Sequence, residues 1–306
     1  MDSPRAKAEA VMLIGFGGPN STEEIRPFLD RVLKGRPVPR ERYEEVVHHY
    51  EVMGGRSPYN ELTMRQAAAL RERLKRDGYE VPVVVGMRNA APFSEDALNE
   101  LILAGVRRVV GFVLAAYRCE ASWDRYLAEV EEARKRIGAA APDVNYPAAW
   151  HTDRRYIAAV AARAREALAR LTPDDRERAE LVFTAHSIPL AMAARSPYVA
   201  QFEEAARLTA TAVGSERWRI AYQSRSGSPR DPWLEPDIGA VIASMINPAV
   251  VVPLGFLTDH VEVLYDLDIE ARAIAERSGV RMERAGTVGD APEFIAMMAA
   301  IVEAIL

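Results

Sequence analysis

The stretch "VVVPLGFLTDHVEVLYDLDIE", residues 250–270, decides how the chain is read. Its first part, "VVVPLGFL" (250–257), is an apolar run without alternation, as expected of a parallel strand covered on both faces. Its second part holds His260 and five carboxylates. Read as a helix, Glu262, Asp266 and Glu270 fall at i, i+4 and i+8 and share one face. Like charges so placed destabilise a helix by roughly 0.2–0.5 kcal/mol per pair. Cations would relieve that repulsion, so the row reads as a path for a hydrated divalent ion. Asp259 reads as a helix N-cap, and Asp268, which lies off the row, as part of a solvated outer face.

Working outward, five further apolar runs end in the same way: 11–17, 81–87, 107–117, 179–186 and 217–224, with 248–256 as the sixth. Helical patterns follow or separate them, at 61–77, 122–137, 153–170, 198–213, 259–277 and 291–306. This alternation predicts an α/β fold with two Rossmann-like domains, each a parallel β-sheet flanked by helices. The division is expected near Pro147, giving domains 1–147 and 148–306, with the last helix packing back on the first domain. Open sheets of this kind bind ligands beyond the carboxyl ends of their strands. The residues following each apolar run are therefore the first candidates.

Composition narrows the classes. Hydrophobic residues make up 49% and charged residues 27% of 306 residues, as in a globular protein. A net charge of −5 gives no support for nucleic-acid binding. The single cysteine, Cys119, excludes an intrachain disulfide and a cluster held by several thiolates of one chain. No run approaches the ~18–20 apolar residues of a membrane span, and "VMLIG" near the start is too short for a secretory signal. A cytoplasmic protein without a transmembrane segment is the expectation.

At the first strand end, "GFGGPNSTEEIRPFL" (15–29) matches a dinucleotide fingerprint poorly, because Asn20 stands at the third glycine and no Walker lysine follows. It reads instead as a tight turn, with Ser21 or Thr22 capping a helix and Phe16 projecting at the strand end. In "FTAHSIP" (183–189), His186 sits where a buried strand must stop. An imidazole there can accept a proton or bind a borderline metal.

These stretches, together with "HHYEVMGGRSPYNELT" (48–63) and "YQSRSGSPRDPWLEPD" (222–237), resemble ferrochelatase in order and spacing along essentially the whole chain. The resemblance is nearest to the bacterial enzymes that insert ferrous iron into coproporphyrin III. It implies a porphyrin cleft between the two domains, iron as substrate, no tightly bound cofactor and no iron–sulfur cluster. Carried over by position, His186 and Glu262 become the metal-insertion pair, with Asp266 and Glu270 continuing a cation file. His49, Tyr50, Ser57 and Tyr126 fall at porphyrin-contact positions, and Phe16 stands where some relatives place an iron-ligating tyrosine. A phenyl ring cannot ligate iron. His49 and Leu33 replace arginines of a close relative, which shifts expected carboxylate recognition to Lys34, Arg36 or Arg56. "GMRNAAPF" (86–93) and "AAYRCEASWDRY" (115–126) also depart from the family pattern, the latter with Arg118 and Glu120 expected to face the cleft. Open alternatives are a protoporphyrin IX enzyme, a chelatase for another tetrapyrrole and metal, and a catalytically silent tetrapyrrole or haem carrier. A transient partner from the haem pathway is expected of the enzyme readings. The polar segment 35–55, where a membrane-docking lip would lie, favours the tetracarboxylate substrate.

Overall fold

Ala10 to Leu13 have no solvent exposure and Ile14 only 1%, which is what a strand packed on both faces requires. A computed structural model describes residues 7–226 and 231–306. Residues 227–230 of the "YQSRSGSPRDPWLEPD" stretch therefore lie outside the described residues. The first part of the chain runs β1 (Ala10–Gly15), α1 (Thr22–Leu33), α2 (Arg40–Val52), α3 (Tyr59–Arg76), β2 (Val83–Met87), α4 (Ser94–Leu103), β3 (Arg108–Val113), α5 (Arg125–Ile137) and β4 (Asp143–Asn145). The second runs α6 (Arg154–Leu168), α7 (Pro173–Arg178), β5 (Glu180–His186), α8 (Leu190–Ala193), α9 (Tyr198–Val213), β6 (Trp218–Gln223), α10 (Ile238–Ala243), β7 (Ala249–Val252), α11 (Val261–Leu264), α12 (Arg272–Arg277), β8 (Met282–Arg284) and α13 (Pro292–Glu303). A π-helical turn, Glu120–Asp124, leads into α5, and a second, Tyr265–Ala271, joins α11 to α12.

The strands form two parallel four-stranded sheets, ordered β2-β1-β3-β4 and β6-β5-β7-β8. In both, the first strand in sequence has its next neighbour on one side and the following one on the other. Each sheet thus reverses direction between β1 and β3, or between β5 and β7, and such switch points open crevices for ligands. All six apolar runs became strands, and α/β with two parallel sheets is what the sequence predicts. The edge strands β4 and β8 are three residues each, "DVN" and "MER", too short and polar for a periodic signal. The α13 helix packs against α3 and α6, so it touches helices flanking both sheets.

The β1 end is held by close backbone approach. Gly17 has φ of 85°, and a Cβ there would meet the Ala90 amide nitrogen at 2.9 Å. Gly35 has a similar φ of 75° but open space around it. Gly17→Ala is expected to cost about 2–4 kcal/mol, combining strain and overlap, against about 1 kcal/mol for Gly35→Ala. Urea unfolding midpoints measure the difference, and equal shifts would show that the Gly17 neighbours yield freely.

Candidate active site

β5 and β7 are neighbours in register, with Phe183 opposite Val252. Their carboxyl ends therefore bring His186 and the segment leaving β7 together. His186 Nε2 stands 3.4 Å from Glu262 Oε1, with side-chain exposures of 31% and 39% that leave both reachable. His186 Nδ1 is hydrogen-bonded to the Ser187 carbonyl. A carbonyl only accepts, so Nδ1 carries a hydrogen and Nε2 holds one toward Glu262 only when the ring is cationic. Burial opposes that charge, but the Glu262 carboxylate overcomes it and raises the His186 pKa. Burial likewise works against ionised Glu262, and the facing His186 draws its pKa below the usual range. Both directions describe one proton held by the His186 ring toward the Glu262 carboxylate. The Tyr198 hydroxyl donates to the His186 carbonyl at 3.0 Å and fixes the strand end.

His260, which the sequence reading left without a role, is the N-cap residue of α11. Its ring lies edge-on to Tyr59 (centroids 6.1 Å) and Phe256 (5.2 Å), and burial lowers its pKa. It is a neutral imidazole within electrostatic reach of Glu262 and His186. Its place two residues before Glu262 was the available signal.

The π-helical turn carries Asp266 and Glu270. Four residues of α-helix overshoot one turn by about 40°. The wider π turn holds more than four residues and offsets that drift, so the acidic row stays aligned. Asp266 and Glu270 line a pocket of about 280 Å³ together with Arg42, Glu45 and His49. Burial and the charges of Glu262 and Glu270 push Asp266 up to about 7, against hydrogen bonds from Ser224 and Gln223. Burial also raises Glu270, with Glu45 adding to it. His49 stacks on Tyr265 at 3.7 Å, which seats α2 against the turn. Among the described residues no three His, Cys, Asp or Glu side chains converge on one ion position. The acidic residues form a series, not a cage.

Two readings of the flanking acids need correction. Asp268 is not on a solvated face: Arg284 Nε reaches it at 2.7 Å. Asp259 does not cap the helix, since Arg284 Nη1 holds it at 3.1 Å. One guanidinium, 13% exposed, ties both acids to β8 and keeps them off the row.

On the side of the first sheet, Phe16 and Tyr50 flank Phe28, with edge-on centroid distances of 6.1 and 5.9 Å. Burial, with the Glu262 charge adding to it, raises the Tyr50 pKa well above the usual phenol value. Ser57 and Tyr126 are each only 6% exposed. Ser57 packs beneath Gly18, where an added Cβ would approach it at 2.7 Å. Tyr117 is 2% exposed and donates to the Leu254 carbonyl at 3.3 Å. Lys34 pairs with Glu129 at 2.7 Å, and Arg36 donates to the Leu33 and Val32 carbonyls. Arg118 stacks on Trp123 at 3.7 Å and reaches the Pro147 carbonyl, while Glu120 pairs with Arg125 at 2.9 Å.

Two parallel sheets with a histidine and a glutamate facing one another at a switch point define a chelatase-like architecture. The ferrochelatase family model matches residues 8–306, and the chain belongs to the ferrochelatase family. It is 38% identical over 300 residues to a ferrochelatase of Rhodopirellula baltica, covering 96% of this chain and 85% of that one. It is 41% identical over 298 residues to a coproporphyrin III ferrochelatase of Nocardia farcinica, covering 94% and 85%. Among solved structures, SirB from Bacillus subtilis with Fe³⁺ shares the fold at a TM-score of 0.59 and 13% identity, over 96% of this chain and 94% of that chain. DR2241 of Deinococcus radiodurans, a multi-domain protein, shares it at 0.58 and 16% identity over 96% of this chain, which spans 55% of that longer one.

The elevated Asp266 has a consequence for stability. Its folded pKa lies above its unfolded value of about 4, so between pH 4 and 7 the folded state holds the extra proton. Stability contributed by that proton is present at low pH and lost as pH rises toward 7. Asp266→Asn should therefore raise the Tm of the metal-free protein at pH 8 and leave it close to wild type at pH 4. A Tm difference independent of pH would mean that Asp266 titrates alike in the folded and unfolded states.

Proposed function

We propose that the chain inserts ferrous iron into coproporphyrin III, a step of haem biosynthesis, with His186 and Glu262 as the reacting pair. The observation that carries this is the 3.4 Å approach of His186 to Glu262 at the β5–β7 switch point, in a chain of the ferrochelatase family. The relative from Nocardia farcinica, named a coproporphyrin III ferrochelatase, supports the choice of porphyrin. So does the segment 35–55, where Val52 is the exposed large hydrophobic among the described residues and no apolar lip is built. A tetra-anionic porphyrin is free in water, which supports a cytoplasmic place for the reaction and a transient haem-pathway partner to receive the product. The reading includes two domains divided near Pro147 and iron as substrate, with no resident cofactor.

The reaction removes two pyrrole N–H protons while Fe²⁺ sheds water and enters the ring. A flat macrocycle presents its nitrogen lone pairs poorly to a metal. Contacts from Phe16, His49, Tyr50, Ser57 and Tyr126 would hold it bent, and binding energy spent on that shape lowers the barrier. Asp266 and Glu270 deliver the hydrated cation toward Glu262. A dication at Glu262 competes with the imidazolium for the carboxylate, which returns His186 to the neutral form that accepts a pyrrole proton. Both protons then leave through residues of the pair and the acidic row to water.

Comparing kcat/KM for coproporphyrin III and protoporphyrin IX tests the substrate, and a preference for the dicarboxylate would overturn it. His186→Ala should abolish insertion while leaving porphyrin Kd within about tenfold, because it removes transition-state stabilisation and no carboxylate contact. Turnover above about a tenth of wild type would take His186 out of the mechanism. Glu262→Gln should be nearly as severe, whereas Asp266→Asn and Glu270→Gln should chiefly weaken apparent Fe²⁺ affinity. Equal kcat losses at all three would contradict a graded path. The haem complex of the wild type should lack tyrosinate charge-transfer absorption, and Phe16→Tyr should introduce it and slow product release.

A further inference from the structure

Arg88 immediately follows β2, and its backbone N–H donates to the Gly15 carbonyl at 3.0 Å. The next N–H, of Asn89, donates to the Phe16 carbonyl at 3.0 Å, so Arg88 is fixed beside the Phe16 turn. Its guanidinium is the anomaly of the site. Nε is buried without a hydrogen-bond partner, and among the described residues the side chain makes no ion pair. Arg88 as a whole is half-buried, and a guanidinium whose buried Nε–H is unbonded, with no counter-charge among the described residues, is costly.

The surroundings sharpen the point. Arg125 and Arg36 add like charge near Arg88, and Glu129, the acid within electrostatic reach, is already taken by Lys34 at 2.7 Å. Burial accordingly holds the Arg88 pKa below the usual value. The Tyr126 phenol lies within electrostatic reach of Arg88 and of Tyr59, and makes no hydrogen bond among the described residues. Tyr59 in turn touches His260, whose ring lies within reach of Glu262. Arg88 is therefore linked to the reacting pair through a series of electrostatic neighbours, Tyr126, Tyr59 and His260. Of Lys34, Arg36 and Arg56, the residues expected from sequence to recognise carboxylates, Lys34 and Arg36 are engaged elsewhere and Arg56 is exposed.

We propose that Arg88 receives a carboxylate of the porphyrin, with the Tyr126 hydroxyl as a second donor, and so sets the preference for a carboxylate-rich ring. This rests on the reading of the chain as a porphyrin-binding enzyme. A guanidinium fork accepts a carboxylate with two parallel hydrogen bonds, which an ammonium cannot reproduce.

The test is fluorescence titration of wild type, Arg88→Met and Arg88→Lys with metal-free coproporphyrin III and with its tetramethyl ester. Arg88→Met should weaken coproporphyrin III binding about tenfold to a hundredfold, the range for a hydrogen bond to a charged group. Arg88→Lys should fall between, and the ester should bind wild type and Arg88→Met alike. In iron insertion the loss should appear in KM more than in kcat. An unchanged Kd for coproporphyrin III, or an equal loss on the ester, would overturn the assignment, the latter by showing a merely structural role. Should Arg88→Met not fold, wild-type affinity in Arg88→Lys would overturn it instead. A wild type that binds neither porphyrin overturns this proposal and the function together, whereas one that inserts iron while Arg88→Met binds normally overturns this proposal alone.

Discussion

One proton shared across 3.4 Å between His186 and Glu262 is the constraint around which the rest is arranged. The carbonyl of Ser187 fixes the hydrogen on Nδ1, so the contact at Nε2 is favourable only while the pair holds that proton. The pair stays partly exposed, and Asp266 and Glu270 stand behind Glu262, where burial and the neighbouring carboxylates raise the pKa of both. Carboxylates so placed raise the negative potential along the row, which a divalent cation lowers.

The fold supplies the means. Parallel strands send all their carboxyl ends to one edge, and each sheet reverses its winding at β1/β3 or β5/β7. Phe16 follows β1, Arg88 follows β2 and His186 ends β5, so residues far apart in sequence stand at the carboxyl ends of strands. Arg284 removes Asp259 and Asp268 from competition by holding both. The π turn offsets the drift of about 40° per four residues that an α-helix would add along the Glu262, Asp266 and Glu270 row.

Sequence and structure divide the information unevenly. The short apolar runs marked the buried strands, since a strand covered on both faces favours hydrophobic residues throughout, whereas the longer apolar stretches at 156–162 and 294–302 lie in helices. Position at the end of such a run was enough to single out His186 and the segment bearing Glu262, because parallel sheets place ligands there. The i, i+4, i+8 row was legible for the same reason, periodicity being a local property. The short edge strands at 143–145 and 282–284 were not, because three residues carry no period.

What the sequence by itself determined is therefore local: two sets of buried parallel strands, a histidine and a glutamate at strand ends, and an aligned acidic series. Tertiary structure alone decided the pairings. It gave Asp268 to Arg284, engaged Lys34 with Glu129, buried Ser57 and Tyr126, set His260 against Tyr59, and left Arg88 Nε unbonded among the described residues. The physical reason is that hydrophobic pattern reports whether a position meets water. Which charge meets which depends on distances between elements that only the packed sheets and helices establish.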